Sequence, residues 1–406
     1  MEQYSCKIGI SEAEHDSFVT GHAQINLLQS SRWAKVKDNW ENERIGIYQA
    51  GVQVASMSLL IKRLPLGYSL IYIPRGPVMD YRNACLVHKT LSHLKAYGKA
   101  QKALFIKCDP AVLYRQFRIG QEAQIAKEGE QAINHLLAAG AKWAGLTSRM
   151  AESIQPRFQA NKYLLPDREI PFPKHTKRLM ADAKKRGVQT IRGSIDQLDA
   201  FCELIAKTKT RKQISLRNRD YFDRLMTVYG EDAFLHFAKI DIDAQLELFR
   251  EHLSQVKQAL AQTPQHQKRR LQMLNDQKSS LDNYIEEFEH YQENESADNP
   301  AVAGILSVAY GDVMEMLYAG MDDRFKKCYP QYLLYPRVFT DASAEQIRWA
   351  NMGGVEGELN DGLTTFKSHF SPIIEEFIGE FDIPIHPFYP LFYQIYQLGK
   401  KWRKRQ

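Results

Sequence analysis

Gly51–Leu64, GVQVASMSLLIKRL, runs into Pro65-Leu66-Gly67 and then into Tyr68–Pro74, YSLIYIP, and this stretch decides how the chain is read. Both arms are apolar, β-branched and aromatic, and Pro-Leu-Gly between them supplies a tight turn. The spacing predicts one hairpin ending in Tyr72-Ile73-Pro74-Arg75-Gly76-Pro77. Beyond it, Asn83–Gly98 places Leu86, Leu91 and Leu94 on one helical face before a glycine stop, and Ala103–Cys108 reads as a short buried strand. Hairpin, helix and strand in that order give an α+β fold with α/β character.

A second apolar pair, Ala301–Tyr310 and Val313–Ala319, turns at Gly311-Asp312 and closes with Tyr318-Ala319-Gly320-Met321-Asp322. It too precedes a helical stretch, so the chain reads as two related units. Between them Leu246, Phe249, Leu253, Val256 and Leu260 follow an a/d heptad, and Leu274, Leu281 and Phe288 recur at seven with Tyr284 and Tyr291 at d. Thr263-Pro264 interrupts the run, which predicts an antiparallel coiled-coil arm about 30 Å long. The arm is either a solvated spacer or a partner-binding surface. The expected division is 1–150 for the first unit, 151–242 with 293–385 for the second, 243–292 for the arm and 386–406 for a C-terminal tail.

With 44% hydrophobic and 25% charged residues over 406 positions, the chain has the composition of two or three globular domains, not of a disordered or collagen-like protein. Five scattered cysteines without a CxxC pair fit a reducing compartment. Met1-Glu2-Gln3-Tyr4-Ser5-Cys6-Lys7 lacks the order of a signal peptide, and no apolar run nears the roughly 20 residues that span a bilayer, so a cytoplasmic location is expected. A net charge of +6 is too mild to define a partner. HExxH, GxSxG and GxxxxGK[ST] are all missing, which predicts neither metal nor cofactor. No glycine has Gln or Arg three positions before it, so an acyltransferase built on this chain would lack the usual CoA pyrophosphate cradle.

Leu28-Gln29-Ser30-Ser31-Arg32-Trp33-Ala34-Lys35-Val36-Lys37-Asp38-Asn39-Trp40 puts Gln29, Trp33, Lys37 and Trp40 on nearly one helical face, and it resembles the opening motif of the FemABX family. The resemblance continues through Leu64–Tyr68, Tyr72–Pro77, Ile154-Gln155-Pro156-Arg157, the helical arm, Tyr318–Asp322, Gly353-Gly354-Val355-Glu356 and Gly362–Lys367. In order, these cover nearly the whole chain, and the hairpin segments look most like the MurM and MurN branch, which adds alanine or serine. The resemblance implies two GCN5-related acetyltransferase-like domains carrying a coiled-coil arm. It also implies transfer of an amino acid (Ala or Ser, with Gly open) from aminoacyl-tRNA to the stem-peptide lysine of lipid II, in peptidoglycan synthesis.

Such a transfer passes through a tetrahedral oxyanion, which calls for a positive donor and firm positioning. Lys367, in Phe366-Lys367-Ser368-His369-Phe370, matches the family's lysine assigned that role; on its residues alone it could be an edge-strand lysine at the surface. His369 reads as structural or solvated. The acceptor carries phosphates and carboxylates, and Lys37, Arg217, Tyr221 and Tyr318 match acceptor-binding positions. Arg217 and Tyr221 share a helix face if the helix has begun, whereas initiation at Asn218 leaves Arg217 outside it. Lys37 has a solvated-lysine alternative and Tyr318 a core-aromatic one. Where some members carry a substrate-contacting Tyr, Ala103-Leu104-Phe105 leaves that contact missing or assigned to Phe105. The attacking amine must lose a proton, and no residue identifies itself as the base, so substrate-assisted removal stays open.

Lys177, Arg178, Lys184 and Lys185 line one predicted helix, a footprint for a tRNA backbone or a solvated face. The aromatic tail Phe388–Leu398 is followed by Lys400, Lys401, Trp402, Arg403, Lys404 and Arg405 with no acid, the pattern of peripheral contact with the inner face of the cell membrane. A packed helix with a solubilising end is the alternative. Competing functions are a noncatalytic tRNA- or membrane-binding scaffold and an acyl-CoA N-acyltransferase.

Overall fold

The computed structural model describes residues 4–165, 169–212, 217–294 and 299–403, with the side chains at 124, 209–212 and 399–403 outside that description. Its first elements are β1 (Tyr4–Ile8), α1 (Glu12–Thr20), α2 (Ser31–Val36), β2 (Glu41–Gln49), β3 (Val52–Arg63), β4 (Ser69–Ile73), β5 (Val78–Met79), α3 (Ala84–Ala100) and β6 (Ala103–Cys108). There follow β7 (Leu113–Phe117), β8 (Gln124–Ile125), α4 (Lys127–Ala138), β9 (Lys142–Trp143), β10 (Phe158–Tyr163), α5 (Lys174–Lys185), β11 (Val188–Gly193), α6 (Leu198–Lys212), α7 (Arg219–Tyr229) and β12 (Ala233–Ile240). The rest comprises α8 (Ile242–Gln262), α9 (Lys268–Asn294), β13 (Ala301–Tyr310), β14 (Val313–Met321), α10 (Gln331–Ala344), β15 (Trp349–Gly354), α11 (Gly362–Ser368), β16 (Ile373–Phe377), β17 (Phe381–Pro384) and α12 (Tyr389–Arg403).

Two mixed sheets result, ordered β1-β2-β3-β4-β6-β17-β9 and β11-β12-β13-β14-β15-β10-β16-β7-β8, with β5 against β3. The α+β class read from the sequence is what forms. Each sheet repeats one plan: an antiparallel hairpin (β3–β4, β13–β14), a helix (α3, α10), and a strand parallel to the hairpin's second arm (β6, β15). The sheets nevertheless exchange chain. Residues 113–125 supply β7 and β8 to the second sheet, and β17 returns to the first between β6 and β9.

That return is held by charge. Lys107 on β6, almost fully buried, lies 2.6 Å from Asp382 and 3.4 Å from Glu380, both on the returning segment. Arg75, also buried, ties the halves together differently: its backbone amide donates to Asp109 and its guanidinium to the carbonyl of Pro156, 2.8 and 2.7 Å away.

The opening motif is not one helix. Asn26 caps a single 3₁₀ turn, Leu27–Gln29, and Ser30 is extended because Ser31 N–H donates to Asp16 of α1 at 2.9 Å, which starts α2 afresh. The break turns Gln29 inward, where it accepts from Ser58 N–H (2.8 Å) and donates to the carbonyl of Pro74 (2.5 Å). A Cβ at Gly76 would sit 2.8 Å from the Gln29 amide, so the two motifs, far apart in sequence, are packing partners. Trp40 lies beyond α2, in the loop before β2.

The arm forms as expected, broken at Thr263, with Leu246, Phe249, Phe288 and Tyr291 rooted in the core of the second sheet. Phe105 does not face a site: it is buried beneath α12, edge-on to Tyr389 and Tyr396, both 5.7 Å away.

Candidate functional site

Two clusters flank the point where β14 and β15 part. Their parallel register covers only Val313–Glu315 against Trp349–Asn351, though both strands continue. Met314 and Met316 face the core, so Glu315 faces the opposite side of the sheet; a bulge at Leu317 resets the alternation and brings Tyr318 to that side as well.

The first cluster joins all four residues expected to hold an acceptor. Lys37 caps the C-terminus of α2, with its amine 4.5 Å from the Trp33 ring centre and 3.5 Å from the Tyr221 hydroxyl. Tyr318 donates to that same hydroxyl at 3.2 Å. Asn218 does cap α7, accepting from Tyr221 N–H, so Arg217 lies just outside the helix; its guanidinium still lies over the Tyr221 ring at 5.0 Å. Burial lowers the Lys37 amine to about 8, and the neighbouring Arg217 charge adds to the shift. Burial likewise raises the Tyr221 phenol, which stays a neutral donor. Two cations and two phenols in one cluster are suited to an anion.

Lys367 belongs to the second cluster. It is neither on a strand nor at the surface: it lies in α11, which Asp361 caps through the amides of Leu363 and Thr364, and is only 4% exposed. Its amine donates to the carbonyl of Gly354 at 2.8 Å. A buried ammonium at the end of a parting strand pair can stabilise a developing oxyanion far better than one in water. His369 is structural, bonded through Nδ1 to Tyr332 (2.7 Å) and packed on His175 at 4.7 Å.

The remaining surfaces sit around these clusters. On α5, Lys177, Arg178, Lys184 and Lys185 are all exposed and in no ion pair among the described residues, while Thr176, Leu179 and Ala183 face inward. Thr176 donates to the carbonyl of His369, which sets the basic helix directly against α11. The backbone of α12 reaches Arg403, but the side chains of Lys400, Lys401, Trp402 and Arg403 lie outside the described residues. Its preceding turns expose Phe388, Leu391, Ile395 and Leu398, spaced three or four apart along one side.

Sequence reasoning missed Glu315 and Asn351. The signal was there: a glutamate inside Val313-Met314-Glu315-Met316-Leu317, an otherwise apolar strand, is expensive to bury without a purpose.

The lipid II:glycine glycyltransferase of Staphylococcus aureus (strain USA300) is 27% identical to this chain over 416 residues, covering 96% of this chain and 95% of the relative. A crystal structure of FemX superposes with a TM-score of 0.74 at 26% identity, covering 96% of this chain and 99% of the other. Residues 10–401 match the FemAB family, and the chain belongs to it.

Proposed function

We propose that this protein moves an amino acid from aminoacyl-tRNA to the stem-peptide lysine amine of lipid II, building the branch of a peptidoglycan cross-bridge. The observation that carries the reading is the convergence of Lys37, Arg217, Tyr221 and Tyr318 beside a strand fork whose other side holds Lys367. Similarity over nearly the full length to a lipid II:glycine glycyltransferase supports the acceptor class.

In this reading the acceptor's phosphates lie on Lys37 and Arg217, with the phenols donating beside them. The lysine amine attacks the ester carbonyl, Lys367 stabilises the oxyanion, and the ribose oxygen leaves with a proton from the nitrogen. The tRNA backbone follows α5, whose contact with α11 brings the charged 3′ end toward Lys367. Radiolabel followed from alanyl-, seryl- or glycyl-tRNA into the lipid fraction tests this; label from none of the three would sink it.

Acceptor affinity carries a pH signature. Lys37 is charged below about 8 and loses its charge above, so phosphate binding should weaken as pH rises through that value. Lys37→Ala should raise the acceptor KM roughly ten- to a hundredfold and abolish this pH dependence, measured by initial rates between pH 6.5 and 9.

We also infer a cytoplasmic protein that docks peripherally on the membrane holding lipid II. No described helix is long and apolar enough to cross a bilayer. The support lies in an apolar stripe, with Phe388 and Leu398 each 65% exposed, followed by the basic end of the chain. Leu66, 91% exposed and at φ +62°, tips the neighbouring hairpin, whose Tyr68 packs on Phe392 of α12. A left-handed, solvent-facing leucine has no packing role and suits insertion at an interface. Leu391→Asp with Leu398→Asp should weaken cosedimentation with anionic vesicles at least about tenfold, since each buried leucine is worth roughly 1.5–3 kcal/mol. Unchanged sedimentation would remove the stripe from the account.

A further inference from the structure

We propose that Glu315 and Asn351 are positioning residues that set the Lys367 amine, acting through the two glycines that end β15. The proposal rests on the transferase reading for what Lys367 does, while the chain of contacts is independent of it.

That chain has no gap. Asn351 spends both amide protons, one on Gln159 Oε1 (3.0 Å) and one on Glu315 Oε2 (2.7 Å). Its Oδ1 accepts from the Gly353 N–H at 2.7 Å, and the carbonyl of the following residue, Gly354, receives the Lys367 amine at 2.8 Å. Gly353 sits at φ +86°, where a side chain would be strained, and its missing Cβ leaves the space 3.5 Å from Lys367 Nζ. Gly354 has no room for a Cβ, which would strike Pro156 and come within 2.9 Å of Met150 Sδ. The strand end is therefore held in one unusual conformation, by its pairing with Gln159 on β10, by the bond from Val355 N–H to the Phe158 carbonyl (3.0 Å) and, at Gly353, by the Asn351 side-chain amide.

Glu315 fixes that amide in turn. Its Oε1 is buried without a hydrogen-bond partner among the described residues, and the charged groups acting on it are Arg75, from the loop after β4, and Glu375 on β16. Burial pushes the carboxyl up to about 8, with Arg75 opposing the shift. Near neutral pH it is thus largely the neutral acid, whose proton can sit on Oε1 while Oε2 still accepts from Asn351. What the contact needs is an acceptor atom in place, not a charge.

Four variants test this: Glu315→Gln, Glu315→Ala, Asn351→Ala and the double alanine. Glu315→Ala and Asn351→Ala should each lower kcat about ten- to a hundredfold with acceptor KM changed by less than about threefold, the size expected from misplacing a reacting group by an ångström. The double variant should be no worse than the worse single one, because both break one chain. Glu315→Gln, which keeps shape and acceptor, should stay within about threefold of the wild type. Hydrogen exchange at the Gly353 amide should speed up in the alanine variants and not in Glu315→Gln, whatever activity the protein has. A Glu315→Ala variant with wild-type kcat or unchanged exchange overturns the proposal. So does a Glu315→Gln variant as impaired as Glu315→Ala, which would make Glu315 a proton acceptor instead. Should the wild type transfer nothing, the transferase reading fails, and the exchange rates still decide whether Glu315 and Asn351 hold the strand end.

Discussion

Replacing Lys367 with alanine is expected to lower kcat for aminoacyl transfer by about 10²–10³, the cost of removing one preorganised oxyanion donor. The residue earns so large an effect by its surroundings. Its ammonium is nearly excluded from water and oriented by the Gly354 carbonyl, so it contributes at low dielectric and needs no reorientation as charge develops. The cluster of Lys37, Tyr221 and Tyr318 proposed to bind the acceptor is built from other elements and keeps its own hydrogen bonds, so the acceptor KM should hardly move. Lys367→Arg keeps the charge but spreads it over a planar fork that the space beside Gly353 was not shaped for, and recovery should be slight. Steady-state kinetics with lipid II varied at saturating aminoacyl-tRNA checks both. A rise in KM with kcat preserved would place Lys367 in acceptor binding and not in the chemical step.

Lys107→Met is expected to have the largest effect on stability, a loss of about 3–5 kcal/mol. The lysine is the counter-charge for Asp382 and Glu380, and without it two buried carboxylates lie two residues apart on the segment by which β17 enters the first sheet, with no cation across the seam at position 107. Burial already raises the Asp382 carboxyl, opposed by Lys107. Once the lysine is gone the Asp382 carboxyl rises further, so the folded state of the variant binds more protons than the unfolded chain over the acidic range. Its stability should therefore recover as pH falls below 7 and the Asp382 carboxyl takes up its proton. Urea unfolding at pH 7 and pH 5 measures this. A deficit that stays constant with pH would mean that lost packing, not uncompensated charge, causes it.

Local pattern carried most of the fold. The β3–β4 hairpin, α3, β6, the β13–β14 hairpin and the arm all lie where periodicity and turn residues place them, because each is specified by residues close in sequence. The exchange of strands between sheets was not legible. Lys107 and its partners are more than 270 positions apart, and nothing near Lys107 announces that its counter-charge arrives from the far end of the chain. The segment around Gln29 misled for a related reason: its spacing suits one helix, but a capping carboxylate from Asp16 restarts the chain at Ser31. At the site, the family resemblance pointed to Lys37, Arg217, Tyr221, Tyr318 and Lys367, residue types alone leaving solvated or core alternatives. The structure brings the first four together and puts Lys367 across the fork. Glu315 and Asn351 escaped because their importance lies in a tertiary chain of hydrogen bonds that no spacing encodes.

Mass spectrometry of lipid II after incubation with the protein and charged tRNA gives the most direct reading of the reaction itself. The expected product is lipid II heavier by one amino-acid residue, joined in amide linkage to the side-chain amine of the stem-peptide lysine, and absent when Lys367→Ala replaces the wild type. Lipid II left unmodified while the tRNA remains charged, with both unbranched and singly branched acceptor, would contradict the assignment of the fork between β14 and β15 to aminoacyl transfer.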